Sequence, residues 1–508
     1  MSSTITGHHE GSSGNTGENE ALNGAQIRED VEETARFDAS ARRPVLLTVY
    51  LSLAWLLVGT ILGDVTSLKF NLPDWLAQPD WLTFGRVRPA HLNAMVYGWA
   101  STAMFGVSLW MMPRLLRTSL QWANLAIAGI IIWNIGVLTG ILMLLMGHTD
   151  GLEWLEMSRY VADPLLILGG VLVGAAIWRT LMKRQVKHLY VSVWYVSASF
   201  VWFPLIFTIA NLNIYWGVES AAVNWFYAHN ALGLWLTTIN LGVIYYLIPK
   251  IIGRPIYSYW LSLLGFWALA FFYSLNGMHH LIGGPMPSWM LATSITASIM
   301  MFIPVLAVGV NQHMTVVGRF GAMRYSPALT FIVLAAMSYT AVSLQGIMTA
   351  LVEVNRTTHF THWTIAHSHV GVYLFVTFTL FGALYYMLPR LVGHEWPSMH
   401  LIRWHFWLTA LGMVIYVVAL GIGGVLQGLN LLDPAKPFQA AVEATLPYLW
   451  IRSGAALMIS LGHLIFMYHV YLLLTRKGPV HVMPPFYEIK PIIVREPAQA
   501  SLREGGRA

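Results

Sequence analysis

Residues 363–390 read WTIAHSHVGVYLFVTFTLFGALYYMLPR, and this stretch decides the fold. It is apolar over a length that crosses a bilayer as one helix, and His367 and His369 lie close to its first turn. Histidine is rare inside membrane spans because its polar ring needs partners there, so two of them indicate a functional site. Positions i and i+2 of a helix point about 200° apart. The helix is therefore predicted to hold a ligand on each of two sides.

The composition places most of the chain in a lipid membrane. Hydrophobic residues make up 56% of the 508 residues and charged residues 10%, which predicts one polytopic helical bundle. Basic loops beside membrane spans explain the net charge of +6, so no nucleic-acid partner is expected. The chain contains no cysteine. This excludes thiolate metal sites and covalently attached c-type haem, and it leaves histidine as the main candidate metal ligand.

Three regions are expected along the chain. Residues 1–41 are polar and are predicted to form a disordered cytoplasmic tail rather than a signal peptide. Residues 42–476 are predicted to form an all-α membrane domain of about twelve helices, and residues 477–508 a cytoplasmic C-terminal tail. The predicted spans are 44–66, 90–112, 121–147, 161–182, 189–212, 223–249, 257–281, 287–310, 326–352, 363–389, 401–427 and 446–475.

The basic residues of the short loops predict the orientation. The loops after the even-numbered spans hold more lysine and arginine than the others, as in Lys183, Arg184 and Lys187 after the fourth span. Cytoplasmic loops carry such an excess. Both termini are therefore expected in the cytoplasm.

Six histidines from four spans are predicted to lie at one depth, in the outer part of the membrane. A single buried histidine is usually a satisfied core residue, whereas four spans that converge on one layer need a common cause. Neutral imidazole is a typical ligand for haem iron and for copper, and six nitrogens suit two haems and a three-histidine metal ion. The six are His91, His229, His279, His280, His367 and His369.

Their spacing suggests how these ligands divide. One haem could take His91 and one member of the tenth-span pair, whose other member would face a second haem with an open side. His229, His279 and His280 remain, and a set of three imidazoles suits copper.

Two features of the seventh span support a metal site there. Adjacent histidines lie about 100° apart on a helix, so His279 and His280 can share an ion only where the backbone loosens. The Gly-Gly-Pro sequence at 283–285 supplies such an ending. Tyr273 lies six positions before His279, and a phenol beside an open haem and copper could donate a proton and an electron together.

Four motifs together carry a resemblance to a known family, over residues 44–475. The sequence resembles subunit I of the haem-copper oxidases, specifically the C-type or cbb3-type cytochrome c oxidases. This implies a terminal oxidase of a bacterial inner membrane, which reduces dioxygen to water, takes up protons and pumps them. The motifs are R-x-R-P-x-H-x-N-A at 86–94, W-F-Y-x-H-N-A-x-G at 225–233, Y-x5-H-H at 273–280 and W-T-I-x-H-x-H at 363–369.

The resemblance also implies roles for the conspicuous residues. A low-spin haem b would be held by His91 and His369, and a high-spin haem b by His367. Copper would be held by His229, His279 and His280, with Tyr273 as the catalytic redox tyrosine. Without a c-type haem or cysteine ligands of its own, the chain would need other oxidase subunits and a c-type cytochrome subunit or soluble cytochrome c as electron donor.

Three other classes of protein fit the sequence less well. A-type oxidases carry their tyrosine on the sixth span in H-P-E-V-Y, whereas here residues 229–233 read HNALG. Nitric oxide reductases bind non-haem iron with a glutamate about one turn after the first metal histidine, where Gly233 stands. An all-imidazole site suits copper better than hard iron. A non-enzymatic haem-bearing subunit would not explain the additional His279 and His280.

Further residues are assigned weaker roles. Arg86 and Arg88 are expected to pair haem propionates, since guanidinium binds carboxylate bidentately. Gln345 stands 22 positions before His367, where the family pattern has a glutamate, and an amide cannot carry a proton. The residues of the expected proton path from the cytoplasm are Tyr245, Ser258, Tyr259 and Gln345.

Overall fold

A computed structural model describes residues 14–480 of the chain, and within this range twelve long helices make up the fold. The described residues form no β-sheet, and eleven of the helices are long and apolar enough to cross a membrane. The predicted all-α membrane bundle is confirmed. The helices are α1 Gly14–Lys69, α2 84–116, α3 Ala123–Leu145, α4 Ala162–Met182, α5 Val191–Asn211, α6 Gly217–Ile252, α7 Tyr259–Leu281, α8 Ser288–Val316, α9 Pro327–Thr349, α10 His362–Val392, α11 Met399–Leu432 and α12 Phe438–Leu474.

The remaining long helix, α2, corresponds to the predicted second span and lies inside the bundle. Trp99, Met104 and Trp110 are at most 1% exposed, and their neighbours along the helix are buried as well. Side chains in this position meet other helices rather than lipid, so the helix tolerates polar residues that a lipid-facing span could not carry.

Three helices contain π-helical segments, and each segment begins one to three residues after a candidate ligand. They are Ala94–Ser101 after His91, Leu232–Thr237 after His229 and Val370–Thr377 after His369. A π segment inserts one residue into the helical register and is frequent at functional sites. Here the insertion changes the face that the following half of each helix presents, and that half is almost wholly buried in α2, α6 and α10.

The regular part of α7 ends before its histidines. Its α-helical segment is Tyr259–Tyr273, and the pair lies in the 3-10 turn Met278–Leu281. The turn is set by Gly277 at φ 124°, where a Cβ atom would lie 2.6 Å from the carbonyl oxygen of Trp225. The backbone does loosen here, but before the histidine pair rather than at 283–285.

The N-terminal region differs from the expected disordered tail, because α1 begins at Gly14. Asp38, which is 6% exposed, pairs with Arg114 of α2, and this ion pair fixes the helix against the bundle. Of the expected tails, residues 1–13 and 481–508 lie outside the described residues. The backbone at 478–480 pairs with His394 and Glu395, where Glu395 N–H donates to Pro479 O at 2.8 Å.

Candidate metal centre

Three histidines from α6 and α7 converge into one cluster. One nitrogen of each of His229, His279 and His280 lies within 4.8 Å of the others. The ring centroids of His229 lie 4.7 Å from His279 and 5.4 Å from His280, and those of the adjacent pair lie 4.4 Å apart. This is a set of neutral nitrogen donors with no carboxylate in it, which suits copper.

The surroundings of the cluster orient its rings. His279 Nδ1 lies 3.0 Å from Ser298 Oγ, whose hydroxyl donates to the carbonyl of Ser294 at 2.8 Å. The Nε2 atom of His279 is therefore left for an ion, as is usual where the second ring nitrogen has a hydrogen-bond partner. The ring of His280 stacks on Trp225 at 4.2 Å, and Nδ1 of His229 is buried without a hydrogen-bond partner. An unpaired buried nitrogen is a strong reason to expect a ligand there.

Tyr273 lies against this cluster. Its ring centroid is 4.8 Å from that of His229, at an interplanar angle of 37°. Gly233 makes this contact possible, because a Cβ atom at that position would lie 1.9 Å from the tyrosine ring. The position at which a metal-binding glutamate would stand therefore has to be glycine.

His91 and His369 each have one ring nitrogen occupied by a backbone carbonyl. Nδ1 of His91 donates to Gly59 O at 2.7 Å, and Nδ1 of His369 donates to Ile365 O at 2.8 Å. Each ring therefore directs an Nε2 lone pair away from its own backbone bond, where an iron ion could take it; Nε2 of His369 has only a long contact of 3.5 Å with the Tyr416 hydroxyl. A Cβ atom at Gly63 would lie 2.7 Å from the His91 ring, so α1 can approach this ring only through a glycine.

His367 faces the other side of α10, as its i, i+2 spacing from His369 predicts. Its Nδ1 lies 3.4 Å from Oε1 of Gln345, a long hydrogen bond from α9. The amide thus occupies the position behind the ring that would direct Nε2 toward a haem.

A single large cavity joins these groups, and its walls are mostly apolar. It is the kind of enclosure that two haems require, and every imidazole assigned to iron or copper opens into it. Its lining includes His91, His229, His279, His280, His367, His369 and Tyr273.

The two outer arginines behave differently from each other. Arg88 lines the cavity and pairs with Glu153 at 3.3 Å, whereas Arg86 donates to the carbonyl of Leu145 at 3.3 Å and does not reach the lining. A third arginine was missed by the sequence reasoning. Arg452 of α12 lines the cavity and is 3% exposed. An arginine inside a predicted span was the signal that could have identified it.

The residues of the expected proton path are only partly joined. Asn311 of α8 donates to Tyr245 Oη at 3.3 Å and accepts from the backbone N–H of Ser258 at 2.9 Å. Tyr259 instead donates to the carbonyl of Leu189 at the periphery. Tyr339, which sequence reasoning missed, is buried, lines the cavity and has a hydroxyl without a partner.

Residues 43–458 match the model of the family described as "Cytochrome C and Quinol oxidase polypeptide I". The chain belongs to this family. The resemblance inferred from the four motifs is confirmed, and with it the class of haem-copper oxidase subunit I.

Two relatives place the oxidase chain more closely. It is 32% identical over 458 residues to a "Cytochrome c oxidase subunit 1 homolog" of Agrobacterium tumefaciens, covering 86% of this chain and 84% of the relative. It is 31% identical over 455 residues to the "Cbb3-type cytochrome c oxidase subunit CcoN1" of Stutzerimonas stutzeri, covering 86% and 96%.

A solved structure supports the fold. A heme-copper terminal oxidase dimer determined by cryo-EM matches with a TM-score of 0.68 at 15% identity, over 86% of this chain and 84% of that chain. The oxidase chain is a multi-pass subunit of a bacterial inner membrane and uses haem and copper. It is the catalytic subunit of a terminal oxidase, which works with other oxidase subunits, cytochrome c donors and dioxygen.

Proposed function

We propose that this oxidase reduces dioxygen at a cbb3-type centre made of two haem b groups and one copper ion. The observation that carries the proposal is the contact between Tyr273 and the three-imidazole cluster across Gly233. A cluster without a carboxylate favours copper over non-haem iron. Nitric oxide reduction is accordingly not favoured.

The residue roles follow from the free ring nitrogens. His91 and His369 would hold the low-spin haem b, and His367 the high-spin haem b on the other side of α10. Copper would be held by His229, His279 and His280. When bound, these groups supply the electron transfer to dioxygen.

The protein's own contribution is position, enclosure and a proton. The ring of Tyr273 lies against the cluster, so its hydroxyl would give a proton and an electron to the reacting oxygen and be restored afterwards. Gln345 accepts the hydrogen bond of His367 as a neutral group, so it orients this ring without taking a proton from it. Arg88 and Arg452 supply positive charge in the cavity wall for haem carboxylates.

The orientation of the bundle decides from which side protons and electrons enter. We place both termini in the cytoplasm, so that Tyr245 and Ser258, linked by Asn311, lie on the proton-uptake side. The oxidase takes up protons there and pumps protons outward. A c-type cytochrome would deliver electrons at the outer surface. Lipid surrounds the bundle, and no nucleic acid is involved.

Metal analysis and turnover of the purified oxidase complex test this proposal. We expect about one copper per two haems and consumption of oxygen. Stoichiometric non-haem iron together with consumption of nitric oxide would contradict it.

A pair of histidine variants tests the ligand assignment. His279→Ala should lose copper and oxygen consumption while the low-spin haem spectrum remains. The control is His313→Ala, because His313 is a half-buried α8 histidine that bonds to Thr340 at 3.1 Å and lies outside the cavity. Retention of copper in His279→Ala would refute the assignment.

A further inference from the structure

A row of polar side chains crosses the interface between the first and the last helix. We call it the α1–α12 seam. Its members on α1 recur at intervals of three or four residues, so they share one face of that helix, and those on α12 meet them there. The members are Thr60, Asp64 and Ser67 of α1, Asn71 just after its end, and Ser453, Ser460 and His463 of α12.

The inner end of the seam joins the helix that carries the haem ligands. Tyr373 of α10, one turn after His369, lies 2.7 Å from Nε2 of His463, and Nδ1 of His463 lies 2.8 Å from Thr60 Oγ1. The Thr60 hydroxyl donates to the carbonyl of Leu56 at 2.6 Å, so it must accept from His463 Nδ1–H. Nε2 is then the acceptor, and Tyr373 is its donor. The three groups form a directed relay with a hydrogen on each link.

The middle of the seam contains an isolated acid. Asp64 lies one turn after Thr60 and accepts a hydrogen bond from Ser460 Oγ at 2.7 Å. None of the ion pairs among the described residues includes Asp64. Asp64, Ser460 and His463 all line the cavity, so water there could connect the two hydrogen-bonded groups.

The outer end of the seam reaches the end of α1. Ser67 Oγ lies 2.9 Å from Ser453 Oγ, and Asn71 Nδ2 donates to the same Ser453 oxygen at 2.8 Å. Asn71 follows the last residue of α1, Lys69, by two positions and is partly exposed. Ser67 lines the cavity as Asp64 does, so water there could connect the acid with this outer group. With that link, the seam extends from the ligand-bearing helix to a partly exposed residue.

Helix packing alone explains only part of this row. Serine, threonine and asparagine commonly hydrogen-bond across membrane helices and hold them together. For holding the two helices together, a further serine would serve as well as Asp64, which has no cationic partner, or His463, which uses both ring nitrogens. Such ionisable residues inside a membrane mark proton relays.

We propose that the α1–α12 seam is the route by which pumped protons leave the oxidase toward the outer face, with His463 and Asp64 as the proton carriers. His463 receives a proton on Nε2 from Tyr373 and releases the one on Nδ1 to cavity water beside Thr60, and the tyrosine oxygen regains a proton from the cavity. A flip of the imidazole ring then restores the first tautomer, so that the next proton can follow. Asp64 takes up the released proton and passes it outward along Ser67, Ser453 and Asn71. No electron moves in these steps. The inference rests on the proposed pumping function and orientation.

Proton release from the oxidase complex in sealed vesicles tests the inference. The whole complex is reconstituted, reduced cytochrome c is added outside, and outward proton release and oxygen consumption are measured together. Asp64→Asn and His463→Gln should lose proton release while oxygen consumption and the low-spin haem spectrum are kept, and Asp64→Glu should restore release. The control is Asp163→Asn, because Asp163 is a 1% exposed acid of α4 outside the cavity and its loss should leave release unchanged.

The possible outcomes separate failure of this proton route from failure of the proposed pumping function. Native release ratios in both Asp64→Asn and His463→Gln would overturn the seam as a proton route. Loss of the low-spin haem spectrum together with proton release would assign these residues a structural role and also overturn it. A native complex that consumes oxygen but releases no protons would refute pumping itself, and the inference would fall with it.

Discussion

Gly233 shows how one absent side chain selects the chemistry of the site. Because a Cβ atom there would lie 1.9 Å from the ring of Tyr273, any larger residue must displace the tyrosine from His229. The same position therefore cannot hold a metal-binding carboxylate and keep this tyrosine. The oxidase has the tyrosine.

Gly233→Ala should therefore lower the activity of the enzyme without removing its copper or haem. Displacing a reacting group by about 1 Å can cost about 100-fold in rate, and we expect a loss of oxygen consumption of that order. Copper and haem content should stay native. Gly346→Ala is the control, because its Cβ atom would meet the His367 ring at an ordinary 3.6 Å. Equal activity of the two variants would contradict the argument.

Tyr273→Phe removes only the hydroxyl and tests whether it supplies the proton. Loss of a positioned acid typically costs about 100-fold or more, so oxygen turnover should fall by at least that factor while the haem spectrum remains native. Tyr195→Phe is the control, because Tyr195 is fully buried, has an unpartnered hydroxyl and lies outside the cavity. Retained turnover in Tyr273→Phe would remove the tyrosine from the mechanism.

At the scale of the element, the end of α7 decides whether two adjacent histidines can share an ion. Gly277→Ala combines a positive φ of 124° with a contact of 2.6 Å to the Trp225 carbonyl oxygen. Strained backbone of this kind costs on the order of 1–3 kcal/mol, and it should be relieved by shifting the histidine turn. We expect copper content to fall while the low-spin haem spectrum persists.

Gly283→Ala provides the matched comparison for that turn. Gly283 also has a positive φ, of 88°, but nothing lies within 4 Å of its added Cβ atom. The two variants share the backbone penalty and differ in the clash. Copper loss in both to the same degree would show that strain, rather than the contact with Trp225, is responsible.

The helices themselves were largely predictable, because apolar length alone reports a span in lipid. The three π segments were not, since nothing in the residue pattern of Ala94–Ser101 or Val370–Thr377 distinguishes them from regular helix. They arise from packing on all sides of the helix. The Gly277 turn was missed for a similar reason, because its necessity lies in a carbonyl of another helix.

At the scale of the whole molecule, the sequence predicts those parts of the site that depend only on the depth of a residue in the membrane. It does not predict contacts between residues that lie far apart along the chain. The loop charges and the span positions alone predict six histidines in one layer. The α1–α12 seam was invisible, because Thr60 and His463 are 403 residues apart and neither lies in a recognisable motif. Arg114 and Asp38 likewise turn a polar N-terminal segment into a packed helix.

Orientation is the property on which proton uptake and release both depend, and the absence of cysteine makes it measurable without background. Asp74→Cys lies in the exposed loop after α1, and Gln185→Cys lies in the exposed basic loop after α4. The excess of basic residues predicts that the second loop lies in the cytoplasm. In intact spheroplasts, a membrane-impermeant maleimide should label Asp74→Cys at once and Gln185→Cys only after permeabilisation. The reverse labelling pattern would invert the bundle, and the α1–α12 seam would then open on the uptake side.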